Sequence, residues 1–261
     1  MNIGLSSAVF YPEVNTENAV SVISKLGFKS AEIFLNSPSE YEEDFVSKLV
    51  YEKNKYNLNI NSVHAFSSSF EPYIFDSYKR RRDDMLAYFK KVCRAGSRLG
   101  ASCYTFHGMK YQDIRHINKK LIVDVYNELT YIALENDIKL AQENVSWCMS
   151  SNLEFIKFIS EKCRYDLYFT MDIKQAYRAG VDPCEYINCM GKKLINFHIN
   201  DKDDKNSCLL PGKGNVDYGR IFDKLQSINY LGNLIIEVYK ENFSSYDELI
   251  YTKKKLEKFL Q

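Results

Sequence analysis

The sequence predicts a single-domain α/β protein, a (β/α)8 TIM barrel that occupies residues 1–261. Eight short apolar segments of strand length alternate with longer segments of helical period along the chain. Most of these short segments are apolar on both faces, which indicates strands covered on both sides, as in a parallel sheet surrounded by helices. The length of 261 residues also suits one barrel of this kind.

The predicted elements follow one another in regular order. The strand segments are Asn2–Ser6, Ala31–Leu35, Ile60–His64, Ser102–His107, Ile138–Asn144, Leu167–Asp172, Leu194–Asn200 and Leu234–Val238. The helical patterns are Glu17–Leu26, Ser39–Tyr56, Ser77–Leu99, Asn118–Glu135, Leu153–Lys162, Tyr218–Ser227 and Tyr246–Phe259. Gly27 and Gly100 each follow a predicted helix, where glycine commonly forms the C-terminal cap.

An open, doubly wound sheet is the alternative to a closed barrel. Such sheets usually carry a glycine-rich phosphate-binding turn after the first strand. The turn after the first predicted strand reads Ser-Ala-Val-Phe-Tyr-Pro and contains no glycine. Eight consecutive strand–helix units therefore favour the barrel.

The composition argues against several classes of partner. The formal net charge is +1, from 35 basic and 34 acidic residues, so no global field would draw the protein to nucleic acid or an anionic membrane. We find no signal-peptide pattern and no apolar stretch that approaches a membrane span. The seven cysteines are scattered and form no C-x-x-C pair, which is typical of reduced thiols in a cytoplasmic protein. The sequence leaves open whether the protein forms a homo-oligomer.

Ionisable residues terminate most of the predicted strands. From the third strand onward these residues are His64, His107, Glu143, Asp172, His198 and Glu237. In a barrel the C-terminal ends of the strands converge on one mouth, where active sites form. A single acidic residue or histidine at a strand end is more often a helix cap or a buried structural residue. A site is indicated because all six residues lie at or near the C-terminal ends of their predicted strands.

The last four of these residues predict a metal centre. Glu143, Asp172, His198 and Glu237 come from consecutive strands and offer three carboxylates and one imidazole. This oxygen-rich set suits Mn²⁺ or Mg²⁺ and also accepts Zn²⁺ or Co²⁺. Because that much negative charge in a cleft is costly, a divalent cation is expected to offset it.

Segments throughout the chain resemble one superfamily, the xylose isomerase-like TIM barrels, which include sugar epimerases, sugar isomerases, dehydratases and the endonuclease IV class. The segments are VHAFS, YTFHG, LAQENVSW, FTMDIKQAYRAG, NFHINDKD, LLPGKGNVDYGRIF and LIIEVY. For the epimerases the resemblance implies one divalent metal on Glu143, Asp172, His198 and Glu237, and Mn²⁺ is the ion that we expect there. It also implies that Glu143 and Glu237 act as acid and base.

The endonuclease IV class is the competing match, and this sequence departs from it. Members of that class hold three zinc ions, and the resemblance places two of their ligand motifs on Asp172–Gln175 and Asn206–Cys208. The histidines of both motifs are absent here, because Gln175 and Cys208 stand in their places. The near-neutral charge also fits poorly with binding to a DNA backbone. A small-molecule sugar is therefore the expected partner, and nucleic acid is not.

Further residues are candidates for contact with a substrate. These residues are His64, His107, Gln175, Glu32, Trp147, Phe66 and Lys213. The histidines and Gln175 offer polar contacts at or just after strand ends, Glu32 offers one from the second strand, and the two aromatic residues offer an apolar wall against a sugar ring. Lys213 lies in a glycine-rich turn, Pro211-Gly212-Lys213-Gly214, that resembles a loop over the mouth in this superfamily. An exposed lysine in an ordinary turn is an equally good interpretation.

The resulting functional hypothesis is an enzyme, a metal-dependent isomerase or epimerase of sugars, sugar phosphates or polyols. Removal of a proton next to a carbonyl gives an enediolate, and a metal stabilises its charge. Three alternatives remain open. They are a keto-inositol dehydratase, an endonuclease IV-like phosphodiesterase and a sugar-binding barrel without turnover.

Overall fold

In the computed structural model, which describes residues 1–260, eight parallel strands close into a barrel in the order β1 to β8. The strands are β1 (Ile3–Ser6), β2 (Ser30–Leu35), β3 (Asn59–Ala65), β4 (Cys103–Phe106), β5 (Lys139–Glu143), β6 (Tyr168–Asp172), β7 (Leu194–Ile199) and β8 (Leu234–Ile236). The prediction of a (β/α)8 barrel is therefore confirmed.

Helices surround the strands and cover the outer face of the barrel. They are α1 (Thr16–Lys25), α2 (Glu43–Lys55), α3 (Lys79–Leu99), α4 (Lys119–Glu135), α5 (Leu153–Lys162), α6 (Ile173–Arg178), α7 (Pro183–Met190), α8 (Tyr218–Ser227) and α9 (Tyr246–Glu257). No helix among residues 1–260 is both long and apolar enough to cross a membrane.

Two helical segments differ from the sequence-based prediction. The predicted helix Ser39–Tyr56 is divided into a 3-10 turn, Pro38–Tyr41, and α2, because Glu42 between them has extended backbone angles. The short helices α6 and α7 between β6 and β7 were not predicted. Residues 171–176 are all buried, so the start of α6 shows no polar face from which a helical period could be read.

The packing of α3 illustrates how a helix covers the barrel. Leu86, Phe89 and Cys93 lie on one face of α3 and are buried in the core. Burial of a side chain such as Leu or Phe stabilises the fold by roughly 1.5–3 kcal/mol. A Cβ atom at Gly96 would lie 2.4 Å from Ile138 Cδ1 and 2.9 Å from the nearest Val63 methyl group, so the missing side chain allows α3 to approach the sheet closely.

Two shifts of strand register set the arrangement of the barrel mouth. Between β6 and β7 the pairing shifts by one residue after Phe169, and Asp172 becomes the direct neighbour of His198. Between β2 and β3 a similar shift places Glu32 opposite Ser62. Because side chains alternate along a strand, a one-residue slip would exchange the residues that face the barrel interior.

Candidate metal centre

The four predicted ligands converge at the C-terminal mouth of the barrel. Glu143 and Asp172 end β5 and β6, His198 lies one residue before the end of β7, and Glu237 directly follows β8. One potential ligand atom from each residue lies within 4.8 Å of those of the other three. His198 Nδ1 is 3.2 Å from Glu143 Oε1, 3.3 Å from Glu237 Oε2 and 3.8 Å from Asp172 Oδ2.

Unsatisfied oxygen atoms within this cluster test whether it suits a cation. Asp172 Oδ2 and Glu143 Oε2 are buried and have no hydrogen-bond partner. His107 Nε2 approaches Glu143 Oε2 to 2.9 Å but without the alignment of a hydrogen bond. A buried carboxylate oxygen without a partner is costly unless a cation lies near it. The donor set and its free oxygens therefore fit a divalent ion.

The electrostatics of the cluster favour ionised carboxylates surrounded by positive charge. Burial tends to raise the pKa of Glu143, but the charge of His107 and the hydrogen bond with His198 hold that pKa well below its usual range. Burial acts in the same direction on Glu237, whose pKa is lowered instead by Lys174 and His198. Both carboxylates are thus held in the charged form that a metal requires.

His198 responds to the same concentration of acidic groups. Burial opposes a charged imidazole, yet the nearby Glu32 and Glu237 raise the pKa of His198 well above its ordinary value. The raised pKa indicates that the surrounding carboxylates stabilise a positive charge at this position. A divalent ion bound to Nδ1 would supply that positive charge, and the imidazole would then be neutral.

Glu32 lies beneath the cluster, inside the barrel, and does not line the mouth. Its Oε2 is 3.0 Å from His198 Nε2 and accepts hydrogen bonds from Ser62 Oγ at 2.7 Å, Thr105 Oγ1 at 3.1 Å and Asn196 Nδ2 at 3.2 Å. The sequence-based proposal of substrate contact therefore does not match its position. A carboxylate on Nε2 instead orients the ring so that Nδ1 faces the other acidic residues.

Replacement of Glu32 by Gln is expected to weaken metal binding by about 10–100-fold, because the amide no longer fixes the tautomer and basicity of His198. A titration of the dialysed protein with Mn²⁺ would measure this change. Glu161→Gln, at an exposed position outside the barrel mouth, is the matched control and should leave the affinity unchanged. Equal affinities of Glu32→Gln and wild type would contradict the orienting role.

His64 and His107 extend the cluster toward the cavity. Their Nε2 atoms are 2.9 Å apart, and His107 Nε2 is also 2.9 Å from Glu143 Oε2. Burial opposes a charged His64, but the Glu143 carboxylate, 3.7 Å from its Nε2, and the charge of Glu32 raise the pKa of His64 to about 9. The two histidines and Glu143 form a second group of potential ligand atoms within 4.8 Å of one another.

A buried glutamate that the sequence did not reveal positions His107. Glu71 Oε2 accepts hydrogen bonds from the backbone N–H groups of His107 at 2.7 Å and Gly108 at 3.0 Å, and Glu71 Oε1 accepts one from the Tyr104 hydroxyl at 2.6 Å. Gly108 has a φ of +78°, which lets the chain turn directly after β4. Glu71 follows β3 in a 3-10 turn rather than ending a strand, so the strand-end pattern could not identify it.

A cavity of about 340 Å³ lies above the cluster. Glu143 and Glu237 line it, and so do four of the predicted substrate-binding residues, His64, Phe66, His107 and Gln175. Its wall also includes Tyr11, Asn36, Lys174 and Tyr239, which the sequence did not single out. The volume is in the range of small-molecule sites.

Trp147 and Lys213 are placed differently from the other candidates. The Trp147 ring contacts the edge of His107, with ring centroids 5.7 Å apart, but is not part of the cavity wall. Lys213 forms an ion pair with Glu248 of α9, away from the cavity. Lys213 lies there because Asp201 accepts hydrogen bonds from the backbone N–H groups of Gly212 and Gly214, so the turn folds around the Asp201 carboxylate. This position does not fit the proposed contact of Lys213 with a substrate.

The closed parallel barrel, with an acidic and imidazole cluster at its mouth, defines the class of protein: a TIM barrel whose candidate site lies where the strands end. Within that class the chain belongs to the xylose isomerase-like TIM barrel family, whose model matches residues 20–258. The family resemblance inferred from the sequence is therefore confirmed.

Relatives by sequence span nearly the whole chain. An uncharacterised protein of Methanocaldococcus jannaschii is 25% identical, and the match covers 98% of this chain and 94% of the relative. A protein named inosose dehydratase from Clostridium botulinum is 22% identical over 88% of this chain and 85% of its own length.

Solved structures show the same fold. A D-tagatose 3-epimerase-like protein superposes with a TM-score of 0.82 at 21% identity, covering 100% of this chain and 97% of the other. The IolI protein with a bound zinc atom superposes with a TM-score of 0.80 at 18% identity, covering 98% and 96%. At these low sequence identities, the structural similarity shows a shared barrel fold.

Proposed function

We propose that this protein is a divalent-metal-dependent sugar isomerase or epimerase that moves a proton at the carbon next to a carbonyl group. The observation that carries this proposal is a division among the four candidate ligands. Glu143 and Glu237 line the cavity, whereas Asp172 and His198 are fully buried beneath it. Two carboxylates that can reach both the ion and a ligand are what proton removal and proton return require.

The metal would be held by Glu143, Asp172, His198 and Glu237, with Mn²⁺ as the preferred ion. When bound, a divalent cation supplies Lewis-acid stabilisation of negative charge on a carbonyl oxygen. The zinc in the structure of the IolI protein and the similarity to a D-tagatose 3-epimerase-like protein support a metal and a sugar as the ligands of this barrel.

The residues of the chain have separate tasks in this proposal. Glu143 takes the proton from the substrate carbon, and Glu237 returns a proton. Because Gln175 Oε1 already accepts hydrogen bonds from the Ser146 N–H at 3.1 Å and the Ser146 hydroxyl at 2.8 Å, the amide hydrogens of Gln175 remain for a substrate oxygen. The half-exposed Phe66 ring, at 47% exposure, offers an apolar surface to a sugar ring and excludes water.

A dehydratase is the second candidate, supported by the relatives named inosose dehydratase. Dehydration of a keto-inositol begins with the same proton removal next to a carbonyl, so Glu143 would serve both reactions. The difference lies in the second step, in which a hydroxyl group leaves as water.

The side chains at two positions that correspond to zinc-ligand motifs of the endonuclease IV class are engaged in other contacts. This observation supports small-molecule chemistry over that of a repair nuclease. Gln175 is bonded to Ser146 through its oxygen, and the Asn206 side chain donates to Asp203 in an exposed turn. Across residues 1–260, the convergent groups of potential His, Cys, Asp and Glu ligands are the two described above.

Incubation with a panel of ketohexoses and keto-inositols in D₂O with Mn²⁺ tests the proposal. We expect an epimeric or isomeric product that carries deuterium at the carbon next to the carbonyl, detected by NMR and mass spectrometry. A product lighter by one water would establish the dehydratase instead. Binding of a sugar without deuterium exchange would contradict both reactions and favour a non-catalytic sugar-binding barrel.

A further inference from the structure

Lys174 is a buried cation within the candidate metal centre. It is the second residue of α6, two residues after Asp172, and its side chain is only 3% exposed. Its Nζ lies 3.1 Å from Glu237 Oε2 and 3.3 Å from Asp172 Oδ2, and the centroid of the Tyr239 ring is 4.8 Å away. A buried ammonium group requires charged or polar partners, and here its charged partners are two of the candidate metal ligands.

The ammonium group contacts the same oxygens that face the histidine ligand. Glu237 Oε2 and Asp172 Oδ2 are the oxygens that lie 3.3 Å and 3.8 Å from His198 Nδ1. An ion bound to Nδ1 and to these two carboxylates would draw on the same oxygens. Lys174 and a divalent ion would therefore share two ligand atoms.

We propose that Lys174 is a resident counter-cation of the metal centre, which competes with the divalent ion for Asp172 Oδ2 and Glu237 Oε2 and so lowers the affinity of the site for metal. This inference rests on the proposed metal centre but not on the identity of the reaction. Two positive charges a few ångströms apart repel each other strongly in a buried site. The ammonium also donates a hydrogen bond to Glu237 Oε2, whose lone pair would otherwise be free for the ion.

The same contacts have the opposite effect on the protein without metal. Glu143, Asp172, Glu237 and the underlying Glu32 bring four acidic side chains into one buried region. Lys174 offsets part of their mutual repulsion and holds two of the ligands near each other. Loss of its charge should therefore weaken the metal-free fold and strengthen metal binding. A lysine with a merely structural role would, on removal, weaken both.

Substitution of Lys174 by Met, which has a side chain of similar shape without the charge, tests this inference. The purified protein is dialysed against chelator and titrated with Mn²⁺, and the melting temperature of the metal-free form is recorded. We expect Lys174→Met to bind Mn²⁺ at least tenfold more tightly, equivalent to about 1.4 kcal/mol, and to melt at a lower temperature without metal. Lys213→Met, which removes an exposed lysine paired with Glu248, is the control and should not change the affinity.

A second variant keeps the test decisive if Lys174→Met does not fold. Lys174→Gln retains a group that can donate hydrogen bonds to the carboxylates but has no charge, and we expect it also to tighten Mn²⁺ binding. Unchanged or weaker binding in the variants, with normal binding in wild type, would overturn the role of Lys174 alone. Absence of Mn²⁺ binding in wild type would instead refute the metal centre itself.

Discussion

Glu143→Gln is expected to lower turnover of the sugar substrate by about 10²–10⁴-fold, the usual contribution of a positioned general base. The amide has nearly the shape of the carboxylate and keeps an oxygen atom that faces His198 Nδ1, but it cannot accept a proton from the substrate carbon. Steady-state kinetics would measure the loss of kcat. Solvent deuterium exchange into the substrate should disappear in parallel.

Two measurements separate loss of the base from loss of the metal. Metal content by mass spectrometry should show that Glu143→Gln still holds its ion when Mn²⁺ is supplied in excess. Glu161→Gln, at an exposed position, should match wild type in both turnover and metal content. Turnover equal to wild type in Glu143→Gln would exclude this carboxylate as the base.

Removal of the metal is expected to abolish turnover and to lower the melting temperature. A ligand present at 100 times its dissociation constant stabilises a fold by about 2.7 kcal/mol. Each kcal/mol corresponds to roughly 2–4 °C for a domain of 150–250 residues, so a loss of several degrees is expected here. Dialysis against chelator, followed by calorimetry and assay before and after addition of Mn²⁺, measures both effects.

Asp172→Asn provides the control for the stability measurement. This change removes the charge of a buried candidate ligand whose Oδ2 has no hydrogen-bond partner. Its melting temperature should therefore respond much less to Mn²⁺ than that of wild type.

Full turnover of the wild-type protein after chelation and dialysis would contradict the metal-dependent mechanism, whichever sugar is the substrate.

Much of the barrel and its candidate site could be predicted because both follow from local patterns. Alternating apolar and helical segments identify the strands, and parallel strands in a barrel bring their C-terminal ends together. Glu143, Asp172, His198 and Glu237 could therefore be grouped without knowledge of any distance. His64, His107, Gln175 and Phe66, which the sequence predicts to contact a substrate, line the cavity.

Other features depend on contacts that no local pattern encodes. Glu32 lies in the N-terminal half of β2, away from the strand ends that carry the candidate ligands, and its contact with His198 Nε2 places it below that ring. Lys213 was expected near the mouth, but the hydrogen bonds to Asp201 turn its loop toward Glu248. Lys174 stands between Asp172 and Gln175 in the sequence, and nothing in that segment indicates that its ammonium group reaches Glu237.

The sequence by itself determined the fold class, the family and the four residues that converge at the mouth, because strand ends are marked by short-range patterns of apolar and ionisable residues. Tertiary structure alone decided which carboxylate oxygens form no hydrogen bond, which acidic group contacts His198 Nε2, and that a buried lysine contacts two of the candidate ligands. The physical reason is that these contacts join residues far apart in the chain. Their geometry follows from strand register and packing, where a shift of one residue exchanges inward and outward side chains.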